Sequence, residues 1–441
     1  MRFIGTAILV LVAGCNSNDS ATRGNVATAP ADGRAQQSLE VWTAESGTRL
    51  ELVRSRATKF AAAHAGVAVN LTVRDFGSYP AQLKLALTSD EAPDVVIGNL
   101  GWSLDGPLVK AGLLRDLAPW ATRYGWEKRF SAAALRQMRF TPDGRVFGQG
   151  ALYGVPYAAD VIGWFFSARK LEALHLAMPR SLTELETALE AARAAGEVPI
   201  MLGNKPQWPG LHLFYLLCGD LASEQEINGI VFGDRSITWN NAAFVASARK
   251  LAQWQTRGYV FAGANGLSPA DANAKFARGT GVFLPGGTWN AVELAAAMGE
   301  DVGFFLAPPP QPGAAPRATG SVGYGWHITK ASRQPDLAAE FIEFMTNEEF
   351  ARLLAVSGDL PAFDVPGAVP AHASRLATDI RNAWHDVLAK GTLLPYLDFS
   401  APNGAEVIYP TMQSILAGVV DPAQGLAAIE ASRRQFMDSL R

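Results

Sequence analysis

Cysteine is almost absent from this chain, with only Cys15 and Cys218 among 441 residues. Two thiols cannot build a disulfide framework, a four-thiolate zinc site or an iron–sulfur cluster. A charge excess is missing too: 38 Lys and Arg stand against 41 Asp and Glu, a formal net charge of −3. That balance lacks the basic footprint of a nucleic-acid-binding protein. No apolar run reaches the ~20 residues of a membrane-spanning helix. No period of about 20–50 residues repeats, which excludes a solenoid or a propeller. There is no phosphate loop of the form Gly-x-x-x-x-Gly-Lys-Ser/Thr and no His-Glu-x-x-His. Gly148-Gln149-Gly150 is not a dinucleotide fingerprint, and Gly320-Ser321-Val322-Gly323 lacks the spacing of a nucleophile elbow. The histidines, His64, His175, His212, His327, His372 and His385, are scattered without metal-ligand spacing. No catalytic residue, metal site or cofactor is therefore expected.

What the chain does have is apolar mass: 49% hydrophobic against 18% charged residues, and 11 tryptophans. A large core is expected and wholesale disorder is not. The length suits two large domains or three typical ones of about 150 residues. At the N-terminus one positive charge precedes a short apolar stretch, Ile4 to Ala13, the grammar of a secretory signal. Leu11-Val12-Ala13-Gly14-Cys15 resembles the bacterial lipobox. That resemblance implies a signal peptide over 1–14, a lipid on Cys15, and anchoring by several acyl chains. Residues 15–37 are small and polar and read as a flexible tether. Cys218, inside Leu213-Phe214-Tyr215-Leu216-Leu217, reads as a buried packing thiol.

Beyond the tether, Leu39–Trp42 reads as a strand, Arg49–His64 as a helix, Val67–Val73 as a strand, Pro80–Ser89 as a helix and Pro93–Gly98 as a strand. This βαβ series marks an α/β lobe. Ser181-Leu182-Thr183-Glu184 forms a capping box ahead of a helix that stops at Gly196 and Pro199. Asn241–Arg257, Asp336–Thr346 and Asp421–Phe436 read as helices; Val302–Ala307 and the glycine-rich Ser321–Thr329 read as strands. Arg433-Arg434 reads as a solvated helix face.

The order of local motifs resembles the extracellular solute-binding proteins of ABC importers, in the sugar-binding branch that includes the maltodextrin-binding proteins. Gly112-Leu113-Leu114, Tyr153-Gly154-Val155-Pro156, Pro179-Arg180-Ser181-Leu182-Thr183-Glu184-Leu185 and Phe276-Ala277-Arg278-Gly279 with Gly287-Thr288-Trp289 fall in the family's order. So do Ala338–Met345 and Gly358-Asp359-Leu360-Pro361. In the third of these, Ser181 and Leu182 stand where the family usually has Thr and Trp. The likeness implies an α/β, two-lobed periplasmic-binding-protein-like fold of type II, with the ligand in the interlobe cleft. It implies lobe one over 38–158 plus 309–357 and lobe two over 159–308 plus 358–441. The crossing segments are then expected near Tyr157–Val161, Phe305–Pro310 and Gly358. The implied function is capture of a di- or oligosaccharide and its delivery to a membrane permease by hinge closure. The protein would act as a monomer in the periplasm or at the cell surface, without chemistry.

A sugar offers hydroxyls at its edge and C–H faces above and below its ring. A matching cleft needs aromatic platforms rimmed by carboxylates and amides. Pairs of that kind are Trp42 and Glu45; Asn99, Trp102 and Asp105; Tyr157 and Asp160; Asn204 and Trp208; Trp289 and Asn290; Tyr324 and Trp326; and Asp398 with Phe399. The Trp-x-x-Asp spacing at 102–105 resembles a ligand loop of maltodextrin-binding relatives. Asp160 stands where they place a sugar-binding acid, and Trp289 is similar to their stacking tryptophan. Whether Trp326 faces cleft or core is open. Trp120, Trp126, Trp239, Trp254 and Trp384 read as packing residues, and His327 as structural.

Two other readings stay open on the residues. One is a secreted lipoprotein glycoside hydrolase or lyase, whose paired carboxylates would lie among these acids at separations that sequence does not measure. The other is the same fold carrying a non-sugar solute. A phosphodiester would want converging Arg and Lys, which the candidates lack; a polyamine would want several acids around aromatic walls.

Overall fold

The computed structural model describes residues 37–309, 311, 313–368 and 373–441. The signal, Cys15 and nearly all of the tether lie outside the described residues. Among the described residues thirteen strands follow in chain order. The first six are β1 (Gln37–Thr43), β2 (Val67–Val73), β3 (Val95–Ile97), β4 (Arg139–Phe140), β5 (Ala151–Leu152) and β6 (Val155–Pro156). Then come β7 (Ala158–Ser167), β8 (Phe283–Gly287), β9 (Val302–Phe305), β10 (Arg317–Ser321), β11 (Gly325–Ile328), β12 (Leu360–Pro361) and β13 (Thr392–Leu394).

Two large sheets organise eleven of them, one in each lobe, and β4 and β5 form a separate antiparallel pair. The first runs β2-β1-β3-β11-β6. In it β1 pairs parallel with β2 and β3, while β11 pairs antiparallel with β3 and β6. Helices Gly47–Ala63 and Pro335–Phe344 cover this sheet, and Phe60 and Phe341 meet edge to face at 5.2 Å. The second sheet is built on β7, all ten residues of which are buried. Hydrogen-bonded neighbours flank it on both sides: β12 and β10 along its first half, β8 and β9 along its second. A strand covered on both faces and paired at both edges must be apolar throughout, and Ala158-Ala159-Asp160-Val161-Ile162-Gly163-Trp164-Phe165-Phe166 obeys this except at Asp160.

The chain passes between the sheets at Tyr157, from β6 to β7, and at 322–324, from β10 to β11. It passes again ahead of β12, after helix Glu348–Val356. The second passage corrects an expectation. The crossing was placed near Phe305–Pro310, but β10 still pairs with β7 and β13, so the chain stays with the second sheet through Ser321. An assignment of 309–357 to lobe one therefore begins too early. The expected single strand Ser321–Thr329 is in fact two, broken at Gly323. That residue has φ +65°, and a Cβ there would sit 3.0 Å from the Ala158 carbonyl oxygen. Only glycine makes this turn without strain.

Local signals behave as chemistry requires. The Ser181 hydroxyl accepts the Glu184 N–H at 3.2 Å and starts helix Leu182–Ala194. The reciprocal half of the box differs, since Glu184 takes the N–H of Arg180 instead. Asp421 caps Pro422–Asp438. Trp126, Trp239, Trp254 and Trp384 are buried, and Cys218 is buried with its thiol pKa pushed up by desolvation. Arg433 is not on a solvated face. It is 2% exposed and donates to the carbonyls of Ile237 and Asp234, which a surface residue would leave to water.

Candidate ligand-binding cleft

Where β1 ends the chain turns straight into helix Gly47–Ala63, which sets Glu45 and Arg49 one helical turn apart beside the crossing segments. Arg49 is 9% exposed and serves two carboxylates at once. Its Nη1 and Nη2 donate to Asp160 at 3.1 and 3.0 Å, and its Nε and Nη2 donate to Asp359 at 2.6 Å each. One planar fork thus holds the first lobe to the start of β7 and to the segment entering β12, a use to which arginine is suited. Burial works against the guanidinium charge, but Asp160, Asp359 and Glu45 outweigh it and raise its pKa.

Glu45 lies 3.9 Å from Arg49 and accepts a hydrogen bond from the Tyr157 hydroxyl. Burial pushes its pKa up to about 8, against the pull of Arg49 and with help from Asp160 and Asp359. It is therefore largely protonated at pH 7. Tyr324, on the link between the sheets, stands close enough to feel both Glu45 and Asp160, and burial with these charges raises its pKa. Tyr396 reaches in from the second lobe and donates to the Asp160 backbone carbonyl at 3.3 Å.

Tyr396 also begins a surface of rings on the second lobe. The Gly203–Gly210 loop is pinned by buried Asn204, whose Oδ1 accepts the Gly210 N–H and whose Nδ2 donates to Asn265, both at 2.7 Å. This sets the start of helix Trp208–Leu221. From it His212 stacks on Tyr396 with centroids 6.0 Å apart, and sits 4.8 Å from Trp208 and 5.6 Å from Trp289. Crowding by these apolar rings pushes the imidazole pKa down to about 3, so it is neutral. Trp289 is 41% exposed. From the first lobe, Phe76 (43% exposed) stacks on Tyr324 at 5.4 Å.

Expected site residues divide accordingly. Glu45, Tyr157 and Asp160 meet in the hinge cluster; Trp208 and Trp289 meet on the ring surface. Asn290 neighbours Trp289 and accepts a bond from Asn273 at 3.0 Å. Trp42 is half-buried with the Arg74 guanidinium 4.4 Å over its ring.

The remaining residues are packed inward or bonded to protein groups. Asp105 is 1% exposed and turned inward: Oδ1 takes the Asn99 N–H at 3.0 Å, and Oδ2 stands 3.4 Å from His327. It shapes the loop that carries half-buried Asn99. Trp102 is sealed between Phe140 and Phe436. Trp326 is fully buried against Tyr157 and Phe341, because the break at Gly323 sends it into the core while Tyr324 stays at the crossing. Tyr157 is itself 1% exposed, with only its hydroxyl turned to Glu45. Asp398 is half-buried and accepts from the hydroxyls of Tyr215 at 2.5 Å and Tyr409 at 2.7 Å.

Sequence reasoning missed Arg49, His212, Asp359 and Tyr396. The Glu45-x-x-x-Arg49 spacing at a strand end was the available signal for the first. Tyr396 could have been found as the aromatic two residues before Asp398.

A sequence profile described as "Bacterial extracellular solute-binding protein" matches residues 44–351. The maltodextrin-binding protein MdxE of Bacillus subtilis (strain 168) is 26% identical over 325 residues, covering 72% of this chain and 71% of its own. Among solved structures, a chitin oligosaccharide binding protein superposes with a TM-score of 0.76 at 22% identity, over 92% of this chain and all of that one. The GacH receptor of Streptomyces glaucescens, solved unliganded and with acarbose, gives 0.72 at 18% identity, over 92% of this chain and all of its own.

Proposed function

This chain belongs to the bacterial extracellular solute-binding protein family, whose members bind rather than transform and work outside the cytoplasm, and on that premise we propose that it captures an electrically neutral oligosaccharide between its lobes. The observation that carries this reading is the ring surface of Trp208, His212, Trp289 and Tyr396 on one lobe, with the Phe76–Tyr324 stack on the other. Such platforms fit the C–H faces of a sugar. Relatives named for maltodextrin and chitin oligosaccharide, and one solved with acarbose, support the same class.

Neutrality follows from the acids. Asp160 is spent on Arg49, Asp398 on two tyrosines, and Asp105 is turned inward, while Glu45 carries a proton. A polyamine finds no free carboxylate among these groups. A glycosidase needs a paired acid and base free to act, and here two of the carboxylates share one arginine.

The capture is followed by hinge closure and transfer to membrane permease subunits, from a monomer tethered through a lipid on Cys15. A thermal-shift screen tests the reading. Neutral oligosaccharides should raise the melting temperature and be recovered uncut, with spermidine and uronate oligomers inert. Stabilisation by spermidine alone, or shortened products, would overturn it. For the anchor, Cys15→Ser should release the protein from the membrane fraction; retention there would remove the lipid from the account.

A further inference from the structure

The ring surface stops abruptly on one side. Tyr396 touches Phe399, with centroids 5.3 Å apart, and Phe399 meets Gly101 of the opposite lobe. A Cβ at Gly101 (φ +66°) would lie 2.6 Å from the Phe399 Cβ, so the lobes already touch and nothing larger than glycine fits. Beyond this point Trp102 packs on Phe436 at 4.9 Å and Phe147 on Phe232 at 5.0 Å. The Arg136 guanidinium lies 3.7 Å over the Phe232 ring. Arg145 closes the row by donating to the Arg441 carbonyl at 2.7 Å. Trp102, Arg136, Arg145 and Phe147 come from the first lobe; Phe232, Phe399 and Phe436 come from the second. Away from the seam, Phe76 and Trp289 stand open to solvent.

We propose that this aromatic seam closes one end of the cleft, so that the solute is recognised by a chain terminus. The inference rests on the oligosaccharide reading above. A pyranose between two platforms needs the thickness of an added ring, and rings across the seam are already in contact. A linear sugar seated against Tyr396 and Trp289 can extend only toward the Phe76 side. One terminus faces the wall and the other faces solvent. A cyclic oligosaccharide has no terminus to offer and is rejected.

Two measurements test this on the full-length mature protein and on a Phe232→Ala/Phe436→Ala variant. Both rings are half-buried, which limits the damage to folding. The first is small-angle scattering without ligand. The variant should have a larger radius of gyration than the wild type; an unchanged radius means the seam does not hold the lobes together and overturns the proposal. The second is calorimetry with maltotriose and chitotriose, each free, blocked at the reducing end by a bulky aglycone, or blocked at the non-reducing end by a bulky acetal. For whichever sugar binds, one block should be tolerated and the other should weaken binding by at least about tenfold. Equal tolerance of both blocks, or tight binding of a cyclodextrin by the wild type, overturns the wall. If neither trisaccharide binds, the oligosaccharide that stabilises the protein most in the thermal-shift screen takes their place; if none does, the carbohydrate reading fails and the scattering result still decides the seam.

Discussion

The hinge cluster and the ring surface lie side by side, joined by Tyr396, and they spend their side chains in opposite ways. At the hinge the charged groups are engaged by protein partners. Arg49 saturates Asp160 and Asp359, and Tyr157 occupies Glu45. On the ring surface the side chains are large and partly open, with Trp289 41% exposed. Charged groups here hold the lobes in register, and under the proposed function the rings meet the solute. Stability and affinity should therefore separate on mutation.

The largest effect expected is on folding. Arg49→Ala would leave two carboxylates buried without their cation and should cost about 3–5 kcal/mol, read by denaturant unfolding. A loss confined to affinity would reverse the roles assigned to the two regions. Asp160→Asn should likewise lower stability more than it weakens binding.

Next comes Trp289→Ala. Loss of a central aromatic anchor should weaken oligosaccharide binding by ~1–3 kcal/mol and leave the unfolding midpoint nearly unchanged, as its exposure allows. Calorimetry beside a melting curve measures both; an unaltered affinity would take Trp289 out of the site.

The pH responses should have opposite signs. Glu45 has its folded pKa raised from 4.5 to about 8, so the folded protein keeps a proton that the unfolded chain has lost. Its contribution falls as pH rises from about 4.5 to about 8. His212 has its folded pKa lowered from 6.5 to about 3, so the unfolded chain takes up the proton first. Its contribution falls as pH drops from about 6.5 to about 3. Glu45→Gln should flatten the upper slope and His212→Asn the lower one, in denaturant titrations at stepped pH. If the two substitutions flattened the same limb, one assignment would be wrong.

The smallest effect is Tyr409→Phe. It removes one of two hydroxyls on Asp398 and should cost about 1 kcal/mol of stability without changing affinity. A clear loss of sugar binding would mean that Asp398 touches the solute.

The sequence carried the first lobe's strands and marked the ring-bearing loops as candidates, because strand periodicity and tryptophans in Gly/Pro loops are local features. Trp208 and Trp289 were legible for that reason. Which acids are free was not legible, since it depends on partners far along the chain. Asp160 and Asp359 are claimed by an arginine 111 and 310 residues away, and Asp398 by a tyrosine 183 away. Tyr324 and Trp326 were expected on one strand face. Only the backbone turn at Gly323 shows that one stays at the crossing and the other enters the core.

The most direct test is a crystal structure of the protein with the oligosaccharide that stabilises it most. The account predicts a sugar ring lying on Trp289 and Trp208, near Tyr324 and Tyr396, with the Arg49–Asp160 pair intact beneath it. A solute bound elsewhere, or a cation seated on Asp160 with Arg49 displaced, would contradict it.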